Sequence, residues 1–172
     1  MKKNKILITG LPGCGKTTLV QKLADSLKLL RPAGFYTAEI RRGGSRVGFE
    51  LTSLTGQKAI LSHVDIDSPI RVGKYRVDIG RFDDFLTKLD FDNQPESPVI
   101  IDEIGKMECY SVKFVSIVES LLDSPRIMIA IVALKGRGLI ETVKKRNDVV
   151  LYHLTPANRD IVFEKIRSII QK

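Results

Sequence analysis

The sequence predicts an α/β fold, a mostly parallel sheet packed between helices with a β-hairpin inserted. Three observations predict it. Apolar runs of strand length alternate with runs of helical periodicity along most of the chain. A glycine-rich segment, Gly10-Leu11-Pro12-Gly13-Cys14-Gly15-Lys16-Thr17, joins the first strand-like run to the first helical one. A later apolar run, Val99-Ile100-Ile101, ends in Asp102-Glu103, which sets two acids at the carboxyl end of a buried strand, where open α/β sheets bind ligands. At 172 residues the chain 1–172 reads as one domain with a substantial core, and the hairpin insert spans about 34–61.

Ile6-Leu7-Ile8-Thr9 is the first strand, short and buried. The segment after it fits G-x-x-x-x-G-K-[ST], the phosphate-cradling loop. Phosphate oxygens need many donors at once, so Gly10, Gly13 and Gly15 let the backbone curl with its N–H groups inward. Leu11, Pro12 and Cys14 fill the variable positions of the same nucleotide-binding loop, and Thr18 continues it into the helix. Lys16 brings a compact positive charge to the outer phosphates, and the Thr17 hydroxyl can ligate Mg²⁺. Leu19, Val20, Leu23, Leu27 and Leu30 then recur at helical spacing, so the helix turns its positive dipole end toward the same anion.

Arg31-Pro32 ends that helix. Gly34–Ile40 and Val47–Leu51 are strand-like runs around Gly43-Gly44, a β-hairpin, with a short third strand at Lys58–Leu61. Arg41, Arg42 and Arg46 crowd its tip, either facing phosphates or RNA, or forming a solvated end that blocks edge pairing. His63 to Pro69 is loop and Val72–Val77 one brief strand. Asp78 or Gly80 opens a helix carrying Phe82, Phe85, Leu86 and Leu89, and Asp92 to Pro98 is a polar loop.

The acid-ended run at Val99–Glu103 is a Walker-B-type strand. Asp102 would hold Mg²⁺ together with Thr17, and Glu103 would orient and deprotonate an attacking water. Ser111–Leu122 is a helix with Val112, Val115, Val118, Leu121 and Leu122 inward. Ile127–Leu134 is a further buried strand, Leu139–Arg146 a short helix and Val149–Leu154 the last strand. Thr155 as N-cap and Pro156 at the first helical position open the final helix, with Ile161, Val162, Ile166, Ile169 and Ile170 inward. Charge developing on the γ-phosphoryl oxygens calls for another cation, for which Lys106, Arg137 and Arg159 are the candidates. Glu108 is either a support for the site or a helix-start acid.

The net charge of +8 and pI near 9.6 suit an anionic ligand. Aromatic residues make up only 6% and there is no Trp, which argues against a base-stacking single-strand binder. Met1–Lys5 has the charge of a signal-peptide start, but the apolar run behind it is too short, and no stretch reaches transmembrane length. Two cysteines are too few for a disulfide framework. The expectation is a cytoplasmic protein.

The run Asp102-Glu103-Ile104-Gly105-Lys106-Met107-Glu108, together with the loop at Gly10–Thr17, resembles the thermostable nucleoside-triphosphatase family, whose animal members are called cancer-related nucleoside-triphosphatases. Gly34-Phe35-Tyr36-Thr37, Arg46-Val47-Gly48-Phe49, Val72-Gly73-Lys74-Tyr75, Lys135-Gly136 and Thr155-x-x-Asn158-Arg159 carry the likeness along nearly the whole chain. The resemblance implies a RecA-like P-loop fold with a catalytic glutamate. It implies Mg²⁺-dependent hydrolysis of ATP, GTP, CTP and UTP to the diphosphate and phosphate, with low turnover. It favours Lys106 and Arg159, beside Lys16 and Glu103, as catalytic residues. Cys109 departs from it, since leucine is expected there. The expected partner is a nucleoside triphosphate met by a monomer, with no membrane and with nucleic acid less favoured. A small-molecule or nucleotide kinase and a nucleic-acid-associated ATPase are the rival readings. Phosphate release without an acceptor separates the first, and RNA-stimulated hydrolysis the second.

Overall fold

In the computed structural model, residues 4–89, 91–93 and 95–170 are described. Met1 to Lys3, part of the charged N-terminal run, lie outside them. In chain order the elements are β1 (Lys5–Thr9), α1 (Lys16–Ser26), β2 (Ala33–Arg42), β3 (Ser45–Ser53), β4 (Lys58–His63), β5 (Arg71–Val72), β6 (Tyr75–Val77), α2 (Ile79–Lys88), β7 (Val99–Ile104), α3 (Val112–Asp123), β8 (Met128–Val132), α4 (Leu139–Lys144), β9 (Val149–His153) and α5 (Arg159–Ile170).

The strands form one mixed sheet in the order β5-β6-β4-β3-β2-β7-β8-β1-β9. Its parallel part is β2-β7-β8-β1-β9. β8 lies between β1, which feeds the glycine-rich loop, and β7, which carries Asp102. The expected hairpin forms, and it joins the sheet. β2 pairs in parallel with β7 through Ala33, Gly34 and Phe35, then antiparallel with β3 from Phe35 to Arg42. Gly34 allows this close pairing. It sits at φ +133°, and a Cβ there would lie 1.8 Å from the Ile100 carbonyl oxygen.

Both faces of the parallel part are covered, as buried β-strands between helices require. Successive side chains of each apolar run point to opposite faces. Ile6 and Ile8 of β1 pack with Leu19, Leu23, Val162 and Ile166 of α1 and α5, whereas Leu7 belongs to the opposite core. In that second core Phe35, Phe82, Phe85 and Phe114 from β2, α2 and α3 meet largely edge to face, with centroids 5.4–6.4 Å apart. The first residue of β1 is a buried lysine. Lys5 Nζ donates to the Arg126 carbonyl, and the Arg126 guanidinium donates to the Phe91 and Ser97 carbonyls. This tie fastens the start of β1 to the segment ahead of β7.

Several elements differ from the sequence reading. Leu30 falls in a 3₁₀ turn after α1 and is 51% exposed. Val72–Val77 is a two-strand hairpin, β5 and β6, turned at Gly73-Lys74. In α3 the inward face is Phe114, Val118, Leu121 and Leu122, while Val112 is 84% exposed, because Phe114 lies four residues before Val118 and seven before Leu121, on their face of the helix, and Val112 lies on the face opposite Leu121. α5 begins at Arg159, not at Thr155-Pro156. The Asn158 side chain accepts from Thr155 N and donates to the His153 carbonyl, which holds 156–158 as a turn. Ile161 lies off the buried face of α5, Val162, Ile166 and Ile170, and is exposed. Asp78 does open α2, accepting from Arg81 N.

Candidate functional site

The site grows from the two segments that β1 and β7 deliver to the same edge of the sheet. After Thr9 the chain curls through Gly13 and Gly15, at φ +75° and +96°, and enters α1 at Lys16. No side chain caps this helix and its first turn holds no acidic residue. Its N-terminal N–H groups and dipole are therefore left to an anion. Lys16 Nζ donates to the carbonyls of Gly10 at 2.9 Å and Leu11 at 2.8 Å, so the lysine folds over the loop. Cys14 is buried, its Sγ packed close to Gly10, and serves as loop filling.

Thr17, one residue into α1, donates from Oγ1 to Asp102 Oδ2 at 2.7 Å. This bond joins the loop to β7 across 85 residues of sequence. Thr37 of β2 donates from its hydroxyl to the Asp102 carbonyl and braces the same residue from the other side. Burial pushes the Asp102 carboxyl up to about 7, the Thr17 hydrogen bond and Lys16 opposing and the nearby Glu103 charge adding to it. Burial raises the Glu103 pKa as well, against the pull of Lys16. Along the β7·β8 ladder Asp102 faces Ile131 and Ile104 faces Val132, so Glu103 is the extra residue of a bulge. The Asp102–Glu103 peptide bond is cis.

Pro12, Lys16, Thr17, Asp102, Glu103 and Lys106 line one cleft of about 410 Å³. Its opposite wall is the antiparallel part of the sheet, with Glu39, Arg46, Phe49, Leu61 and Val72. Lys106 is exposed, which suits a cation that meets a ligand rather than a structural partner. Arg159 lies on the other side of the loop. A Cβ on Gly15 would meet its Cδ at 2.9 Å, and it lines a smaller cavity of about 230 Å³ with Thr18, Lys22 and Phe163. Arg137 lines neither cavity. Lys106 and Arg159 are thus not equivalent, since one stands with Glu103 and the other behind the phosphate loop.

Sequence reasoning grouped Arg41, Arg42 and Arg46, and the structure separates them. Arg41 pairs with Glu39 and Arg42 with Asp65. Only Arg46 of the three lines the cleft. Its Nη1 donates to Glu39 at 2.9 Å, its Nε to the Tyr75 hydroxyl at 2.8 Å, and it lies over the Phe49 ring. Thr37 was missed altogether, because nothing local marks a strand threonine as a brace. Glu108 is neither exposed nor a plain helix-start acid. It is buried in the cleft wall, and burial, with the Glu103 charge, pushes it up to about 8. Cys109 packs half-buried against the core where leucine is expected.

Thr17 Oγ1 and Asp102 Oδ2 are hard oxygen donors set side by side, which fits Mg²⁺ rather than a softer metal. Among the described residues no cluster of three His, Cys, Asp or Glu could hold a metal unaided. Substrate phosphates and water would have to complete the shell, as is usual for this ion. No helix of the described residues is long and apolar enough to cross a membrane.

Residues 5–167 match the family model described as NTPase. The chain is 43% identical over 168 residues to nucleoside-triphosphatase THEP1 of Thermotoga maritima, covering 97% of this chain and 95% of that one. The crystal structure of THEP1 from Aquifex aeolicus superposes with a TM-score of 0.85 at 35% identity, over 98% of this chain and 99% of its own. The solution structure of a human cancer-related nucleoside triphosphatase superposes with a TM-score of 0.82 at 34% identity, over 98% and 97%.

Proposed function

The chain belongs to this nucleoside-triphosphatase family and is an NTP-hydrolysing enzyme, and from that premise we propose how it hydrolyses its substrate. The reaction is in-line attack of water on the γ-phosphoryl group of ATP, GTP, CTP or UTP, giving the diphosphate and phosphate. The loop amides and Lys16 hold the β- and γ-phosphates. Glu103 accepts the proton of the attacking water. Lys106, on the Glu103 side, offsets the charge that develops on the γ-phosphoryl oxygens, and Arg159 steadies the phosphates from behind the loop. Mg²⁺ would be held by Thr17 and Asp102, where it would neutralise the β- and γ-oxygens. The Thr17–Asp102 hydrogen bond carries this reading, because it sets the phosphate loop, the metal donors and the adjoining Glu103 in one cleft. The proposed unit is a monomer that needs neither nucleic acid nor a second phosphoryl acceptor.

Glu103→Gln tests the proposal. It keeps shape and hydrogen-bonding capacity but removes the base. Phosphate release should fall on the order of 10²–10⁴-fold while triphosphate binding stays near that of the parent. Undiminished turnover would remove Glu103 from the mechanism. Phosphate release from triphosphate alone, unaltered by added RNA, is expected of the parent enzyme.

A further inference from the structure

Gly105 stands between two carboxyl side chains. A Cβ built on it would lie 2.6 Å from Glu103 Oε1, 3.1 Å from Glu103 Cγ and 2.7 Å from Glu108 Oε2. Glu103 therefore folds back along the chain over the Gly105 Cα, and the Glu108 carboxyl reaches the same spot. Any side chain at 105 would have to displace one or both. The backbone gives no other reason for glycine here, since Gly105 is absent from the residues at positive φ.

Glu108 is the second unexplained feature. It sits in the 3₁₀ turn Glu108–Tyr110 that follows β7, only 4% exposed. It forms no ion pair with any described residue. The backbone N–H groups of Gly105 and of Glu108 itself oppose the rise in its pKa without outweighing burial. A buried carboxyl without a cation, beside a second carboxyl, costs stability. Leu or Met would fill the same volume at lower cost, so stability does not account for an acid at this position.

We propose that Gly105 and Glu108 are positioning residues for Glu103: the bare Cα of Gly105 admits the folded-back glutamate, and the Glu108 carboxyl, reaching the same spot, fills the remaining space and fixes where the Glu103 oxygens stop. The inference rests on Glu103 being the base. Glu108 touches neither water nor phosphate in this scheme. Its protonated state, to which burial and the Glu103 charge both push it, supplies an uncharged neighbour that does not repel the base. A displacement of about 1 Å at the reacting group is enough to lower rate on the order of 10²-fold.

The test compares steady-state hydrolysis, triphosphate binding and thermal unfolding for Gly105→Ala, Glu108→Ala and Glu108→Gln, alone and with Glu103→Gln. Gly105→Ala is expected to keep its melting temperature and triphosphate affinity while kcat falls roughly 10–100-fold. Glu108→Ala should lose kcat likewise, and Glu108→Gln, with nearly the same shape and no charge, should recover most of that loss. In the Glu103→Gln background, Gly105→Ala should add little, because two changes that act through one group are not additive. Parental kcat in Gly105→Ala overturns the inference, and so does an undiminished extra loss in the double variant. Should Glu108→Ala not fold, Gly105→Ala and the double variant still decide. An undiminished rate in Glu103→Gln alone would instead overturn the base assignment, so the two failures are distinguishable.

Discussion

Thr17 Oγ1 lies 2.7 Å from Asp102 Oδ2, so the first turn of α1 is hydrogen-bonded to the end of β7. The bond does two things. It sets two oxygen donors side by side, and it holds the loop in register with the strand that carries the proposed base.

Asp102→Asn keeps the side chain's size and removes its charge. Phosphate release should fall on the order of 10²-fold or more, and the Mg²⁺ concentration needed for half-maximal rate should rise roughly 10–100-fold. A Mg²⁺ titration of initial rates reads both. Thr17→Ser, which retains the hydroxyl, should stay within a few-fold of the parent in the same titration.

Lys106 and Arg159 line different cavities, so their variants should separate in kinetics. Lys106→Ala removes the cation proposed to face the γ-phosphoryl group, and kcat should drop on the order of 10²-fold with little change in KM. Arg159→Ala weakens a contact behind the loop, and KM should rise roughly tenfold with a smaller change in kcat. Equal kcat losses at unchanged KM would place both at the reacting phosphate.

Glu108 should make stability fall as pH rises across its own titration. Its folded-state pKa is raised to about 8 from an unfolded value near 4.5. Between those values the folded state binds the proton and the unfolded state does not, so the slope of stability with pH is negative there. The favourable contribution is whole below about pH 4.5 and is lost by about pH 8. Urea unfolding of the parent and of Glu108→Gln, at pH values through that window, should show the parent losing ground steadily to the variant. The difference should reach a few kcal/mol, at about 1.4 kcal/mol for each pKa unit.

Phe35 is fully buried and meets three other rings. Phe35→Ala should therefore cost about 3–5 kcal/mol, read as a lower urea midpoint with an unchanged m-value. A loss under about 1 kcal/mol would mean that the core collapses into the cavity.

Much of the site could be read locally. The glycines, Lys16 and Thr17 are contiguous, and the apolar run before Asp102 announces a buried strand, which continues past the two acids to Ile104. The alternation of Ile6, Leu7 and Ile8 between two cores follows from strand geometry alone. What could not be read is what distant segments do to one another. Arg46 shares a cleft with the phosphate loop only because β3 is laid beside β2, and Thr37 braces Asp102 only because β2 runs beside β7. Local signals also competed. Thr155-Pro156 reads locally as a helix start, and the two Asn158 side-chain hydrogen bonds override it by holding 156–158 as a turn. In α3 Phe114, on the same helical face as Val118 and Leu121, takes the core place expected of Val112. For Glu108 the charge was visible in the sequence but the burial was not.

β2 passes without interruption from the parallel ladder into the antiparallel one. The wall bearing Arg46 and the wall bearing Asp102 therefore belong to a single hydrogen-bonded sheet, not to two bodies joined by a hinge. Swinging that wall inward would break interstrand bonds. On that side the cleft's width is built in at folding, before any nucleotide arrives, so a bound guest meets a wall already hydrogen-bonded to the strand that carries Asp102.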